Sequence, residues 1–150
     1  MRKRISWNKF FMEVAKLAAQ RSRDENTQVG ACIVKDKLIV STGYNGMPRT
    51  CDECGLPTGR EGNWLETKYP YTVHAEMNAI LNAPTTNLRG CKLYVTLFPC
   101  CECAKAILQA GISEVVYLED KHPNDDIYVA SKTMLRLSKV KVVKFEEDEQ

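Results

Sequence analysis

The stretch KLYVTLFPCCECAKAILQAGISEVVYL, residues 92–118, alternates between strand-like and helix-like patterns. Residues 92–97 predict a strand, and the β-branched run over residues 114–118 predicts another. Between them, Pro99 opens a predicted helix at a position where its missing N–H costs little, and Gly111 follows that helix as a C-terminal glycine. A strand, a helix and a strand in this order indicate an α/β arrangement.

The rest of the chain continues the alternation. Helices are predicted over residues 7–21, 74–83 and 127–137, and strands over residues 29–34, 38–40 and 140–145. With Ser6 as its N-cap, the first helix has a predicted buried face at Trp7, Phe10, Phe11, Val14, Leu17 and Ala18. The last helix has one at Ile127, Ala130, Met134 and Leu137. The pattern predicts one α/β domain, residues 1–150, with its sheet covered on both faces.

Composition restricts the classes of partner. The chain has 150 residues, 27% charged residues and a net charge of +2, which makes no electrostatic case for a nucleic-acid polymer as partner. No apolar run approaches the length of a membrane span, and charges interrupt the N-terminal region where a signal peptide would need an apolar segment. We therefore expect a cytoplasmic protein without a membrane partner.

Cysteine usage indicates metal binding. The chain has seven cysteines, an odd number that does not suit a disulfide framework in the absence of a secretory signal. Four of them form two Cys-x-x-Cys pairs, Cys51/Cys54 and Cys100/Cys103. Reduced thiols that bind a metal are the better interpretation.

One constellation carries chemistry: His74-Ala75-Glu76 together with Pro99-Cys100-Cys101-Glu102-Cys103. The pattern H-x-E followed by P-C-x-x-C is the signature of zinc nucleobase deaminases. A catalytic zinc takes three protein ligands, and one imidazole with two thiolates suits it. Both motifs are predicted at helix N-termini, where free N–H groups and the helix dipole stabilise thiolates. We predict that His74, Cys100 and Cys103 hold Zn²⁺.

Glu76 is predicted to be the catalytic acid and base. It stands too near His74 in sequence to be a comfortable fellow ligand, but it can reach the attacking water. It would take a proton from that water, deliver it to ring N3 and then protonate the departing amine, a role that typically contributes about 10²–10⁴-fold.

Other interpretations of these motifs are weaker. A lone histidine on an apolar helix is more often a packed core residue, and a lone Cys-x-x-Cys is often a redox pair. A zinc ribbon needs two Cys-x-x-Cys pairs roughly 15–20 residues apart, whereas the pairs here are far more widely spaced.

With these residues in place, the chain resembles the deoxycytidylate deaminase family of the cytidine deaminase-like superfamily. The matching stretches are Ser6-Trp7, Arg21-Ser22, Gln28-Val29-Gly30-Ala31, Gly43-Tyr44-Asn45-Gly46-Met47-Pro48, Thr67-Lys68-Tyr69-Pro70-Tyr71, residues 74–80, residues 99–103 and Gln109-Ala110-Gly111-Ile112. The resemblance implies a three-layer α/β/α fold with a central five-stranded mixed sheet. It also implies conversion of dCMP to dUMP with release of ammonia, which supplies thymidylate synthesis.

The resemblance also implies substrate contacts. The backbone around Ala75 and the side chain of Asn45 would help to hold the base and the sugar. The phosphate would be met near Arg21, Arg23 or the segment Lys121-His122, where the family often has a tyrosine. Without the resemblance, these basic side chains are interpreted as solvated surface.

A second, structural zinc is present in this region of some family members. Cys51 and Cys54 are its candidate ligands here, but two thiolates do not complete a tetrahedral site. The further ligand is open between Cys32, Cys91, Cys101 and an Asp or Glu. Cys32 and Cys91 lie in predicted strands, where a cysteine is more often a small buried apolar residue.

Regulation is the last property that the resemblance implies. Regulated members are hexamers that dCTP activates and dTTP inhibits, so we expect a homo-oligomer with nucleotide effectors and Mg²⁺ bound to the regulatory triphosphate. The candidate effector residues are Gly43, Tyr44, Asn45 and Gly46, in a glycine-rich turn expected to follow the second strand and to expose N–H groups to phosphates.

Three other functions stay open. tRNA adenosine deaminases share His-Ala-Glu and Pro-Cys-x-x-Cys, although the near-neutral charge and the Gly43–Pro48 loop argue against that substrate. A pterin- or riboflavin-pathway deaminase is a variant of the same chemistry. A non-catalytic zinc-stabilised binding module would have no need of Glu76.

Overall fold

Five strands form one mixed sheet in the computed structural model, which describes residues 1–51 and 53–147. The strands are β1 (Gly30–Lys35), β2 (Leu38–Tyr44), β3 (Lys92–Leu97), β4 (Glu114–Glu119) and β5 (Lys141–Lys144). Their order across the sheet is β2-β1-β3-β4-β5. Strand β1 is antiparallel to both neighbours, whereas β3, β4 and β5 are parallel, so the predicted mixed five-stranded sheet is confirmed.

Four α-helices cover the sheet: α1 (Trp7–Ala19), α2 (Ala75–Asn82), α3 (Cys101–Ala110) and α4 (Asp126–Leu137). Two short 3₁₀ helices, Arg49–Cys51 and Trp64–Glu66, interrupt the long segment between β2 and α2. Among residues 1–51 and 53–147, no helix has both the length and the apolar character to cross a membrane.

The strands have side chains on both faces of the sheet, and both faces are buried. In β1, Cys32 and Val34 pack with Phe11 and Met12 of α1. Ala31 and Ile33 point the other way, into a larger cluster with alanines of α2 and α3 and with Leu135 of α4. Alternate residues of a strand point to opposite faces, so helices on both faces account for strands that are apolar throughout.

The helix ends follow the signals in the sequence. The Ser6 hydroxyl accepts a hydrogen bond from the Lys9 N–H at 3.1 Å and caps α1. Gly111 ends α3 in the left-handed conformation, with φ 88°, which glycine adopts without steric cost.

The predicted buried face of α1 is wrong for several residues. Trp7, Phe10 and Leu17 are 47%, 39% and 65% exposed, and the helix ends at Ala19 instead of Arg21. The buried residues are Phe11, Met12, Ala15 and Ala19. The helix lies so close to β1 that a Cβ added to Gly30 would be 1.8 Å from the Ala15 carbonyl oxygen. This close approach requires small side chains on the face of α1 that packs against the sheet. The pattern of large apolar residues does not indicate where those small side chains lie.

The predicted face of α4 is wrong for a related reason. Ile127 and Leu137 are 49% and 70% exposed, and Ala130 is exposed as well. Ser131 and Leu135 are the buried residues of this helix. Ser131 is polar, so a hydropathy pattern assigns it to the wrong side.

Gly43 and Tyr44 belong to strand β2, where they pair with Ala31 and Gly30, so the turn expected there begins later. A Cβ at Gly43 would lie 2.4 Å from both the Ala75 carbonyl oxygen and the Ala79 nitrogen. Gly43 therefore allows α2 to pack directly on the sheet.

Candidate metal centre and substrate cavity

Two helix N-termini meet at the predicted metal site. His74 is the N-cap of α2, and Cys100 is the N-cap of α3 with Cys103 in the first turn. Helix α3 follows directly on the buried strand β3, which brings the Cys-x-x-Cys motif to the carboxyl end of that strand. Both helices pack on the same side of the sheet and contribute to the larger core cluster.

The three side chains lie within reach of one ion. Both sulfur atoms, Cys100 Sγ and Cys103 Sγ, are 3.4 Å from His74 Nδ1. All three ligand atoms lie within 4.8 Å of one another, and this is the one such group in the described part of the chain. One imidazole nitrogen and two sulfurs are a donor set that fits zinc and leaves a fourth position free.

Hydrogen bonds couple the protonation of the three candidate ligands. A hydrogen bond with Cys103 lowers the pKa of Cys100 to about 4, and the bond with His74 acts in the same direction. The bond with Cys100 raises the pKa of Cys103, and it also raises the pKa of His74 against the effect of burial. Metal ligation requires both thiols and the imidazole in deprotonated form, so an ion bound here would displace the shared protons.

Glu76 lies beside this cluster in the first turn of α2 and is only 4% exposed. Burial raises the pKa of Glu76 to about 7, although the nearby His74 opposes the shift. A carboxyl with a pKa near neutrality can both accept and donate a proton.

A cavity of about 390 Å³ opens onto the cluster, within the size range of small-molecule sites. It is lined by Asp24, Thr27, Val29, Asn45, Arg60, Lys68, Tyr69, Thr72, His74, Ala75, Glu76, Leu97, Phe98, Cys100, Lys121, His122, Asp125, Ile127 and Tyr128. The structure thus brings His74, Glu76 and Cys100 together with the predicted substrate residues Asn45, Ala75, Lys121 and His122.

Asn45 and Ala75 are held rigidly in the cavity wall. The Asn45 amide accepts a bond from the Val29 N–H at 2.8 Å and donates one to the Thr27 carbonyl at 2.9 Å. Ala75 is fully buried as the first residue of α2, so its N–H has no intrahelical acceptor.

Of the basic residues proposed for a phosphate, Lys121 and His122 line the cavity and Arg21 and Arg23 do not. Arg21 stacks on the Tyr44 ring, 5.6 Å from its centroid, and Arg23 forms an ion pair with Glu53 at 3.6 Å.

The sequence interpretation missed several lining residues. Arg60 and Lys68 come from the long segment before α2, Asp24 from the loop after α1, and Tyr128 from α4. Lys68 lies in one of the stretches that carry the family resemblance, which was the one available signal for it. The others are distant in sequence, and only the tertiary fold brings them together.

The second Cys-x-x-Cys pair does not gather a third ligand among residues 1–51 and 53–147. Its two residues contact each other, because the Cys54 thiol lies 3.0 Å from the Cys51 carbonyl oxygen. Cys32 and Cys91 are in the two core clusters, and burial raises the pKa of Cys32 to about 12. Cys101 is half-buried in α3.

The expectation that the glycine-rich turn exposes its N–H groups is wrong for two residues. The Asn45 N–H donates to the Val29 carbonyl at 3.3 Å, and the Gly46 N–H donates to the Val73 carbonyl at 3.0 Å. Val73 returns a bond to Gly46 at 2.7 Å. The turn is therefore tied to the residue that precedes His74.

A mixed five-stranded sheet, with His-x-Glu and Pro-Cys-x-x-Cys at two helix N-termini beside a small cavity, defines the class of zinc-dependent deaminases. The chain belongs to the cytidine and deoxycytidylate deaminase family, because the family model of the zinc-binding region matches residues 5–119. It is therefore an enzyme of the deaminase class.

Individual relatives agree with this assignment. The chain is 50% identical over 143 residues to deoxycytidylate deaminase of Homo sapiens, a match that covers 94% of this chain and 80% of the relative. It is similar in structure to dCMP deaminase from the cyanophage S-TIM5 in complex with dCMP and dUMP, with a TM-score of 0.75 and 28% identity over 96% of this chain and all of the other. A tRNA:A34 deaminase structure matches with a TM-score of 0.57 and 22% identity over 93% of this chain and 100% of that one, a likeness of fold alone.

Proposed function

We propose that this chain catalyses the zinc-dependent hydrolytic deamination of dCMP to dUMP, with release of ammonia, and thereby supplies dUMP for thymidylate synthesis. The human relative is named for this substrate, and the phage relative binds dCMP and dUMP. The observation that carries the proposal is the cavity in which the buried Glu76 adjoins His74 and Cys100.

His74, Cys100 and Cys103 would hold the zinc. When bound, zinc supplies a Lewis acid that allows water to ionise near neutral pH. Glu76 accepts the proton that the water loses, and its pKa of about 7 suits that task. It passes that proton to ring N3, takes the second proton from the hydroxyl now on C4 and gives it to the departing amine, so that C4 becomes a carbonyl and ammonia leaves.

The cavity wall accounts for recognition of a nucleotide. Asn45 and the Ala75 N–H would bind the sugar and the base, because both present fixed polar groups beside Glu76. The phosphate would lie toward Lys121 and His122, with Arg60 as a further cation at the same cavity. Charge-assisted hydrogen bonds are the strong ones, so a 5′-monophosphate should be preferred over the free nucleoside.

The proposal also includes allosteric control by nucleotides. We assign effector binding to Gly43, Tyr44, Asn45 and Gly46, with dCTP and Mg²⁺ activating and dTTP inhibiting a hexamer. Because the Asn45 and Gly46 N–H groups are already bonded, the Tyr44 side chain would carry much of the contact. The Arg21 guanidinium over the Tyr44 ring is a cation beside this segment that could meet a phosphate.

A substrate panel tests the proposal. Purified, zinc-loaded protein is offered dCMP, dCTP, deoxycytidine and tRNA, and ammonia release is measured for each. We expect dCMP to give the highest kcat/KM. Equal efficiency on deoxycytidine would rule out the mononucleotide assignment, and turnover of tRNA alone would assign the chain to adenosine deamination.

A further inference from the structure

A buried ion pair lines the cavity away from the metal ligands. Lys68 Nζ lies 2.6 Å from Asp24 Oδ2, and the two side chains are only 10% and 9% exposed. Both residues belong to the cavity lining. Buried charges are retained when each satisfies the other, so this pair is a built feature of the cavity wall.

The second carboxylate oxygen of Asp24 orders the loop that follows α1. Asp24 Oδ1 accepts hydrogen bonds from the N–H groups of Asn26 and Thr27, each at 2.9 Å. Burial would raise the pKa of Asp24, but the bonds from Lys68 and from these two N–H groups outweigh it and hold the pKa below its usual range. One carboxylate thus joins Lys68 to the turn formed by residues 24–27.

The 24–27 turn determines how the Asn45 side-chain amide is oriented. The Thr27 carbonyl can only accept, so it must face Asn45 Nδ2, at 2.9 Å. The Val29 N–H can only donate, so it must face Asn45 Oδ1, at 2.8 Å. One N–H and one lone pair of the amide are left over for a ligand in the cavity.

The backbone carbonyl of Lys68 orders the segment that precedes His74. Its carbonyl accepts bonds from the N–H groups of Tyr71 and Thr72 and from the Thr72 hydroxyl, all at 3.0 Å. These residues lie in the segment that leads into His74. The ion pair therefore connects the Asn45 side of the cavity to the metal-binding side.

We propose that Asp24 and Lys68 are positioning residues for the substrate: their ion pair holds the 24–27 turn so that the Asn45 amide faces the nucleoside part of the ligand. The inference rests on the proposed function for the identity of the ligand. Lys68 is committed to Asp24 in this role. Two exposed cations of the same cavity would meet a phosphate: Arg60, and Lys121, whose ammonium otherwise lies 3.5 Å from the Glu119 carboxylate.

The competing arrangement is direct contact between Lys68 and the phosphate, and two substrates separate the two cases. Asp24→Asn keeps Oδ1 for the turn but places an amide donor against the Lys68 ammonium. Lys68→Met removes the cation. If the pair positions Asn45, each variant loses about tenfold to hundredfold in kcat/KM on dCMP and on deoxycytidine alike, mainly through KM.

The double variant Asp24→Asn/Lys68→Met is expected to lose no more than either single one, because both break the same contact. Lys68→Arg, which keeps the charge, should restore most of the activity. Lys16→Met is the matched control: it removes a 2.9 Å ion pair with Glu147 on the surface of α1 and should change neither KM nor kcat.

The side-chain amide signal of Asn45 in ¹H–¹⁵N NMR gives a readout that does not require turnover. We expect it to shift in Asp24→Asn and Lys68→Met, with faster exchange of the Val29 N–H and unchanged zinc content. Should Lys68→Met not fold, Asp24→Glu, which displaces the carboxylate by one methylene, should shift the same signal and raise KM.

Three results would overturn the inference: a loss confined to dCMP in Lys68→Met with Asp24→Asn unaffected, additive losses in the double variant, or an unchanged Asn45 signal. A wild-type protein that does not turn over dCMP would instead reject the proposed function. The NMR arms would still decide whether the ion pair orients Asn45.

Discussion

Two carboxyl side chains that line the cavity, Glu76 and Asp24, have pKa values set by their surroundings. Glu76, 4% exposed, has its pKa raised to about 7 by burial. The pKa of Asp24 is lowered instead, because hydrogen bonds from Lys68 and from two backbone N–H groups outweigh the effect of burial. The surroundings of the two carboxyls thus suit the distinct roles proposed for them, a proton carrier for Glu76 and an anion that stays charged for Asp24.

Asp24 should make stability depend on pH in the acidic range. Its pKa lies below the ordinary 3.8 in the folded chain, so its contribution is fully present above that value and is lost as pH falls through the folded pKa. We expect urea unfolding to show a lower free energy of unfolding for Asp24→Asn at neutral pH. That difference should shrink as pH falls below about 3.8. A difference that does not change with pH would contradict the ion pair.

Site residues could be assigned from the sequence where they stand in a short motif at the start of a helix, but not where they come from an irregular segment. His74, Glu76, Cys100 and Cys103 occupy two short motifs, and helix starts place each motif in a defined way. The gathered cluster matches that prediction, while the roles of these residues stay predictions. The cavity cations Arg60 and Lys68 come from irregular segments, where no periodicity relates position in sequence to position in space.

At the level of elements, strands and helices were predicted closely but their faces were not. Strand β3 and the C-cap Gly111 are as predicted, because proline, glycine and β-branched residues act locally. The faces of α1 and α4 depend on how closely a helix approaches the sheet. Small residues such as Ala15 and Ser131 permit that approach, and hydropathy gives them little weight.

Substitution by alanine should destabilise the protein at Gly43 but not at Gly46. Gly43→Ala puts a Cβ 2.4 Å from backbone atoms of α2, which cannot move independently of His74 and Glu76. We expect it to cost roughly 3 kcal/mol of stability, typical of severe overpacking, and to weaken zinc binding. At Gly46 an added Cβ meets nothing within 4 Å, so Gly46→Ala should stay within about 0.5 kcal/mol of wild type. Thermal unfolding and zinc content measure both, and equal effects would contradict the close packing of α2.

The two Cys-x-x-Cys pairs should differ in metal analysis. Cys100→Ser and Cys103→Ser should lose zinc and activity together, because each removes one of three ligands. If Cys51 and Cys54 hold a second ion, the intact protein should contain about two zincs per chain. Changing Cys51 and Cys54 to serine should then lower stability more than activity. A content of about one, unaffected by those two changes, would refute the second site.

Considered as a whole, the molecule keeps apolar surface outside its two core clusters. Trp7 and Leu17 on α1 are 47% and 65% exposed. Singly exposed apolar residues are normal at a protein surface, so the homo-oligomer stays a proposal. The α/β class could be predicted from the alternation of strands and helices. The strand order could not, because it depends on pairing between strands that are far apart in the sequence. That a single domain spans residues 1–150 stays a prediction.

Regulation should appear as cooperativity of the assembled protein. An effector shifts a conformational equilibrium only by its preference for one state. We expect the rate against dCMP to be sigmoidal without effector, hyperbolic with dCTP and Mg²⁺, and sigmoidal again with dTTP. Asn45→Ala or Gly46→Val should reduce both responses. A Cβ at Gly46 meets nothing within 4 Å, so the second change tests this segment without removing the substrate contact proposed for Asn45. Hyperbolic kinetics indifferent to both triphosphates, in a protein that sediments as a monomer, would contradict this prediction.

We propose that Glu76 moves protons beside a zinc that His74, Cys100 and Cys103 hold. The most direct measurement compares zinc content and dCMP turnover in wild type and in Glu76→Gln, a change of similar size that leaves the ligand set intact. We predict equal zinc content and a fall in kcat of about 10²–10⁴-fold, because an amide cannot carry a proton. Normal turnover in a zinc-loaded Glu76→Gln protein would contradict the account.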